Sequence, residues 1–227
     1  MPLAGFTKSE LVARAYSQYS EVAGQGFFST AMMGTFAQNA VREFAVQSQC
    51  VIGSSRKARP TASSGEAVLT LPTGLFSPWR VIHERHFGSS GKVNEVEYTS
   101  ESRLGLWYGR AWLSSSEATV GTSPNTHRWY RRDHNALGFF PPVMTATAGT
   151  AVVWSFRVPT AMSTSTADCG IPAQYAPGVI ALICKQMAER DVDADSDGGR
   201  MKGFDGDAQS WAQIARTETR QAYGIED

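Results

Sequence analysis

The run Asp193-Ala194-Asp195-Ser196-Asp197-Gly198 sets three carboxylates at alternate positions ahead of a glycine, the order that opens an EF-hand calcium loop. Oxygens at positions one, three and five would converge on one cation, and the glycine would make the sharp turn. The second half of the loop departs from that pattern. Position twelve is Phe204 where a bidentate glutamate is required, and position eight is Arg200 where an apolar residue is expected. The run therefore reads first as a charged connector between two helices, with calcium on Asp193, Asp195 and Asp197 as the alternative.

Other residues that could do chemistry lack the partners that chemistry needs. His83 and His86 point to opposite faces of a strand, so the two cannot chelate one ion without a bulge. His127 and His134 could join His83 only by cross-strand convergence, and no carboxylate stands at metal-ligand spacing from any of them. An enzyme built on His83, His127 and Asp133 ranks third among the functional readings. Serines are plentiful, yet the chain has no Gly-x-Ser-x-Gly elbow, no P-loop and no GxGxxG. Neither a cofactor nor a catalytic role is expected.

Two basic clusters could meet phosphate: Arg128-Trp129-Tyr130-Arg131-Arg132, where aromatic rings could stack beside the charges, and Arg56-Lys57-Ala58-Arg59. Lys plus Arg and Asp plus Glu both total 21, so no global field draws nucleic acid, membrane or acidic substrates. The preferred reading is a strand with one wet face and an exposed loop. Cys50, Cys169 and Cys184 are too widely spaced for a CxxC or zinc pattern, which points to reduced thiols in a cytoplasm. The opening MPLAGFTKSE has no basic segment followed by an apolar one, and the chain has no run of eighteen apolar residues. A soluble protein with no membrane partner is expected.

The elements that would carry these residues divide the chain. Thr7 and Glu10 form a capping box ahead of Leu11, Val12, Ala15, Tyr19 and Val22, predicting a helix from about Lys8 to Val22. Ser29 caps a second helix, along which Met33, Phe36, Ala37, Ala40, Val41 and Phe44 recur at steps of three and four. Polar residues 53–65 read as a loop. Beyond them the period changes to two. Strands are expected at 67–71, 79–83, 93–98, 107–113, 128–132, 137–140 and 152–158, cut by Gly, Pro and Ser with no helices between them. After Ile171-Pro172 the helical stripe returns through Tyr175, Val179, Leu182, Ile183 and Met187, with Pro177 near the helix start. A loop is expected over 191–206, and a last helical face follows on Trp211, Ile214, Ala215 and Ala222. Thr217, Arg220 and Gln221 look solvated. The fold class is α+β: a helical bundle made by both termini, residues 1–52 and 171–227, with an antiparallel β-sandwich or small barrel inserted over 53–170.

That layout resembles the bacteriophage head-to-tail adaptor (connector, neck) proteins. The resemblance rests on the Leu71-Pro72 step leading into WRVIHERHF, on Ser123-Pro124 through RWYRRDHNALGFFPP, on the strand AVVWSFRVPTAM, and on the helix opening IPAQYAPGVIALICKQMAE. It covers nearly the whole chain in order and spacing, and the acidic segment 191–207 is longer and more charged than the family pattern. The resemblance implies a ring of identical subunits, commonly a dodecamer, in the virion neck below the capsid portal and above the tail or its nozzle, with double-stranded DNA passing through the channel. It also implies portal contact by the C-terminal segment, for which Trp211, Tyr223 and Ile225 are the candidates, and a channel lining to which Arg128, Arg131 and Arg132 could belong. The rival from another class is a β-sandwich that stacks sugar rings on surface Trp and Tyr, carried on a helical base.

Overall fold

The computed structural model describes residues 6–19, 27–58, 67–83, 94–108, 128–140, 150–191 and 198–225. Among these the chain is mixed α+β, with five α-helices and one curled, seven-stranded mixed sheet that forms a half-barrel. It divides into two compact units: residues 1–51 with 157–227, and residues 52–156.

In the helical unit, α1 (Lys8–Tyr19) starts from the capping box as the sequence indicates. The Thr7 N–H donates to Glu10 Oε2 at 2.8 Å, and the Glu10 N–H returns a bond to Thr7 Oγ1 at 3.3 Å. These bonds favour the carboxylate, so the Glu10 carboxyl is held below its ordinary pKa. Residues 20–26, where Val22 and the stopping glycines Gly24 and Gly26 fall, lie outside the described residues. Helix α2 (Thr30–Ser48) is capped by Ser29, whose hydroxyl accepts from the Met32 N–H at 3.2 Å, and ends at Gln49 in the left-handed region. Helix α4 (Ala176–Arg190) follows a short 3-10 turn, Ala173–Tyr175, and carries Pro177 in its first turn. Its buried residues run almost without a break from Gly178 to Cys184, so it is apolar all round and lies inside the unit, against α1, α2 and α5 (Gly198–Tyr223). Buried side chains from both ends of the chain, among them Leu11, Phe44, Leu182 and Ala215, share one apolar cluster.

Helix α5 departs from expectation in three ways. It begins at Gly198, so much of the segment read as a loop is helical. The glycines at 199, 203 and 206 face open space and each costs about 1 kcal/mol against alanine. Met201 and Phe204 pack on the core, Ala208 is buried, and Lys185 Nζ meets Asp205 Oδ1 at 2.8 Å, and these contacts outweigh that propensity. The buried stripe is also Ala208, Ala212, Ala215 and Thr219, with Trp211 partly buried beside it; Ile214 is 45% exposed and Ala222 is exposed. Small residues on that face let α5 come close to its neighbours. Arg220 is half-buried, and its guanidinium reaches Gln49 Oε1 at 3.4 Å, where a solvated residue was expected.

The sheet runs β1-β7-β3-β4-β5-β6-β2, built from β1 (Ile52–Ala58), β2 (Ala67–Thr70), β3 (Leu75–His83), β4 (Asn94–Tyr98), β5 (Arg128–Asp133), β6 (Ala136–Phe140) and β7 (Thr150–Arg157). It is a single curled layer where a sandwich or closed barrel was expected, and its β4–β5 pairing is parallel where antiparallel pairing was expected. A parallel pair needs a crossover, and the crossover here carries helix α3 (Glu101–Tyr108). Trp107 and Tyr108, read as the start of a strand, are therefore helical. Ser100 caps α3 through its hydroxyl and carbonyl, and Leu104 and Tyr108, one turn apart, lie against Tyr130 and Phe140. The opposite face of the sheet carries the main β core, including Val81, Trp129, Leu137, Phe139 and Val153.

Strand β1 replaces the first part of the expected loop. It pairs antiparallel with β7 from Ile52↔Phe156 to Ala58↔Thr150 and stands at one edge of the sheet. Its Arg56 and Lys57 are exposed, as suits an edge strand that must resist pairing with other chains.

Among the described glycines of the helical unit the tightest surroundings are at Gly178, where an added Cβ would overlap the Phe44 ring and lie 2.7 Å from Trp211 Cβ. Alanine gains about 1 kcal/mol of helix propensity, but overpacking against a Cβ that cannot swing away costs about 2–3 kcal/mol, the upper part of the usual range. Gly178→Ala should lower unfolding free energy by roughly 1–2 kcal/mol on this balance, read as an earlier midpoint in urea. An unchanged midpoint would show that α4 does not approach its neighbours this closely.

Candidate functional site

Strand β5 places the basic cluster. Trp129 is buried in the main β core and Tyr130 under α3, so neither ring is offered to a ligand. Tyr130 lies directly over Gly138 of β6, where any Cβ would collide with its ring. Arg128 pairs with Glu97 at 3.0 Å, and Arg132 with Glu101 at 3.4 Å. Arg131 donates from Nε to the Pro78 carbonyl at 3.1 Å, next to a register shift between Arg131 and Asp133. The three arginines thus stand among carboxylate and carbonyl acceptors. Exposed ion pairs of this kind contribute about 0–1 kcal/mol each, so they shape the local field more than they hold the fold.

Of the acid–base candidates, Asp133 and His134 are the ones whose side chains are described. Asp133 Oδ1 accepts from the His134 N–H at 2.6 Å and meets the His134 ring Nδ1 at 2.8 Å. The backbone bond, then the ring contact, hold the Asp133 carboxyl below its ordinary pKa. The His83 side chain, His86 and His127 lie outside the described residues, as do Asp193, Asp195 and Asp197. The residues at positions eight and twelve of the calcium-like run are described, and both are helical. Arg200 sits over the Tyr19 ring at 5.4 Å, and Phe204 lies 6.2 Å from the same ring. Tyr19 also donates from its hydroxyl to Asp191 Oδ2 at 3.1 Å, so one tyrosine organises both sides of the acidic connector. Among the described residues there is no group of three or more His, Cys, Asp or Glu arranged to hold a metal ion.

At the far end of α5 the helix closes in a Schellman motif. The Ile225 N–H bonds the Arg220 carbonyl at 2.9 Å, the Gly224 N–H bonds the Gln221 carbonyl at 3.4 Å, and Gly224 takes φ +61°. Tyr223 is 52% exposed at this end and Ile225 is half-buried. Trp211, four turns earlier, packs against the helical core. The structure therefore sets Tyr223 and Ile225 close together and Trp211 apart from them.

Two contacts that sequence reasoning missed fix this end of the helix. The Tyr175 hydroxyl donates to Glu218 at 2.6 Å, and Arg220 reaches Gln49. Burial first, then the Glu218 carboxylate, push the Tyr175 phenol up to about 12. No local pattern could reveal a pair 43 residues apart. Trp79 and Trp154 are half-buried against each other at 6.3 Å and so are withheld from a sugar-stacking face, whereas Tyr98, Trp107 and Tyr108 are exposed. Among the described tryptophans only Trp107 is more than half exposed.

The SU10 adaptor protein family matches the chain over residues 7–225, almost its whole length. The fold is that of a mixed α+β chain in which both ends contribute to one helical unit, and the chain belongs to the SU10 adaptor protein family, a phage head-to-tail adaptor family. The likeness drawn from the Leu71-Pro72 step and the Ile171-Pro172 return is met by this match. No curated protein matches the chain. None of the described helices is long and apolar enough to cross a membrane.

All three cysteines are free and buried. Burial pushes the Cys50 thiol up to about 11 and Cys184 to about 12, and it raises Cys169 as well. In the folded protein none should react with a thiol reagent at pH 8 on a time scale on which all three label in 6 M guanidinium. Rapid labelling of even one native cysteine would contradict this packing.

Proposed function

We propose that this protein is a structural component of a bacteriophage virion: a head-to-tail adaptor that forms a ring of identical subunits, commonly twelve, between the capsid portal and the tail or nozzle. The observation that carries the reading is the family match over residues 7–225. Double-stranded DNA would pass through the ring without sequence-specific contact. The protein would act in the virion neck after synthesis in the host cytoplasm, with no membrane partner, no cofactor and no chemistry of its own.

In this reading the four helices contributed by the chain's two ends form a bundle that gives the subunit a rigid base. The β unit meets neighbouring subunits or the tail. A ring of this kind closes through head-to-tail contacts between unlike surfaces of identical chains. Arg128, Arg131 and Arg132 are the proposed channel residues. Their acceptors Glu97, Glu101 and the Pro78 carbonyl would moderate their pull on phosphate, so that DNA could slide without being trapped.

The C-terminal end of α5 is the proposed portal contact. Tyr223 and Ile225 supply apolar anchors at its tip, and Trp211 holds the helix that presents them. Anchoring side chains of this type dominate interface energies. Truncation after Thr219 keeps the Tyr175–Glu218 bond and every buried alanine of α5. The shortened chain should keep its helical circular dichroism and lose capture by purified portal protein. Undiminished capture would remove the portal assignment from this segment.

A further inference from the structure

The curled sheet ends in two edge strands, β1 and β2, and one side chain joins them. Lys57 Nζ of β1 donates to the Thr70 carbonyl of β2 at 3.2 Å. A lysine stem reaches about 6 Å from its Cα, so with that bond the two edges face each other across at most about 10 Å, twice the ~4.8 Å spacing of neighbouring strands. The opening admits one strand and no more.

Both edges turn backbone groups toward it. The Arg157 N–H bonds the Val51 carbonyl at 2.8 Å, which by strand alternation directs the N–H and C=O of Ile52 and Ser54 away from β7. The Leu71 N–H bonds the Asn135 carbonyl at 2.7 Å, so those of Val68 and Thr70 point away from β6 in the same way. Among the described residues no hydrogen bond reaches the backbone of Ser54 or Val68 from the open side.

The side chains along the opening differ by face. Ser55 and Lys57 stand opposite Val153 and Ala151 on the core face of the sheet, Ser55 buried and Lys57 exposed. Val68 is 39% exposed on the other face. An edge lysine guards a strand against indiscriminate pairing. This one is tied to the opposite edge by a single bond that water weakens and that costs side-chain entropy to hold. An incoming strand would displace it, its own N–H taking the Thr70 carbonyl and a carboxylate taking the released ammonium.

We propose that the gap between β1 and β2 is a docking slot for one extended segment of a partner protein other than a second copy, held by backbone ladders to both edges, with a carboxylate at Lys57 and an apolar side chain beside Val68. The alternation of a strand supplies both side chains at once, one on each face. The inference rests on the reading that the β unit meets a partner, and it specifies the chemistry of that contact.

The test is a titration of the full-length protein with a capped fluorescent heptapeptide, the length of β1, that alternates valine with serine and carries glutamate in place of one serine. It should bind saturably and slow hydrogen exchange in β1 and β2. The same peptide with lysine for glutamate, or with N-methyl groups on alternate amides, should bind about tenfold more weakly or worse, the scale of one charge-assisted bond or of two backbone bonds. Ser54→Pro removes a donor from the open edge and leaves the ladder to β7 intact, so it should weaken binding by a similar factor. Lys57→Glu should do the same through charge; it alters no backbone group and carries the test if the proline variant unfolds in a thermal melt. Absent binding, equal binding of the N-methylated peptide, protection away from the two edges, or self-association of the protein that excludes the peptide would each overturn the proposal. Ring formation separates the two readings: rings without peptide binding remove this inference alone, and peptide binding by a protein that forms no ring with or without the portal removes the adaptor reading alone.

Discussion

Everything in this fold depends on the clamp where the chain leaves and re-enters the helical unit. The Arg157 N–H bonds the Val51 carbonyl at 2.8 Å, and immediately beyond it β1 and β7 pair over seven residues. Roughly a hundred residues separate the two strands, yet their ladder brings the ends together. Closing such a loop carries an entropic cost that grows only slowly with its length, about 0.6 kcal/mol per doubling, so a large insertion is tolerated once its stem is paired. With the stem closed, α2 and α4 can share a core though they are far apart in sequence. Burial then offsets the cost: α4 places Val179 to Cys184 wholly inside, against Leu11, Met33 and Phe44 from the first two helices.

The elements that were legible before the structure are those whose signals are local. The Thr7–Glu10 box, the Ser29 cap and Pro177 are each readable from a handful of neighbours, and each stands where it was expected. Period-two runs likewise located β2 to β7, apart from their ends. What stayed hidden depends on distant partners. Strand β1 looks like a polar loop because its pairing with β7 supplies the stability that its own side chains do not. Helix α3 was concealed by Gly105 and by an aromatic pair that suits a strand as well as a helix. The first turns of α5 carry four glycines, and Met201 and Phe204 docking on the core favours the helix there.

The same distinction holds for the candidate site. Arg128, Arg131 and Arg132 were visible as a cluster, but Glu97, Glu101 and the Pro78 carbonyl, which temper their charge, come from other elements. The Asp193–Asp197 run looked like half of a cation site, and the structure shows what stands in the other half: Arg200 and Phe204 packed around Tyr19. The end of α5 was chosen for its aromatic and aliphatic residues. Its anchoring by Tyr175–Glu218 joins residues that no local pattern connects, and with the Schellman closure it orders the last turns of the helix.

The proposed adaptor role requires that the subunit close into a ring and meet the portal, which the helical unit and the sheet unit would share between them. The most direct measurement is an electron-microscope image of the purified full-length protein alone and mixed with the portal protein of its phage. The account predicts rings with rotational symmetry and an axial channel, formed by the protein itself or on the portal. A monomer that leaves the portal uncovered would contradict it.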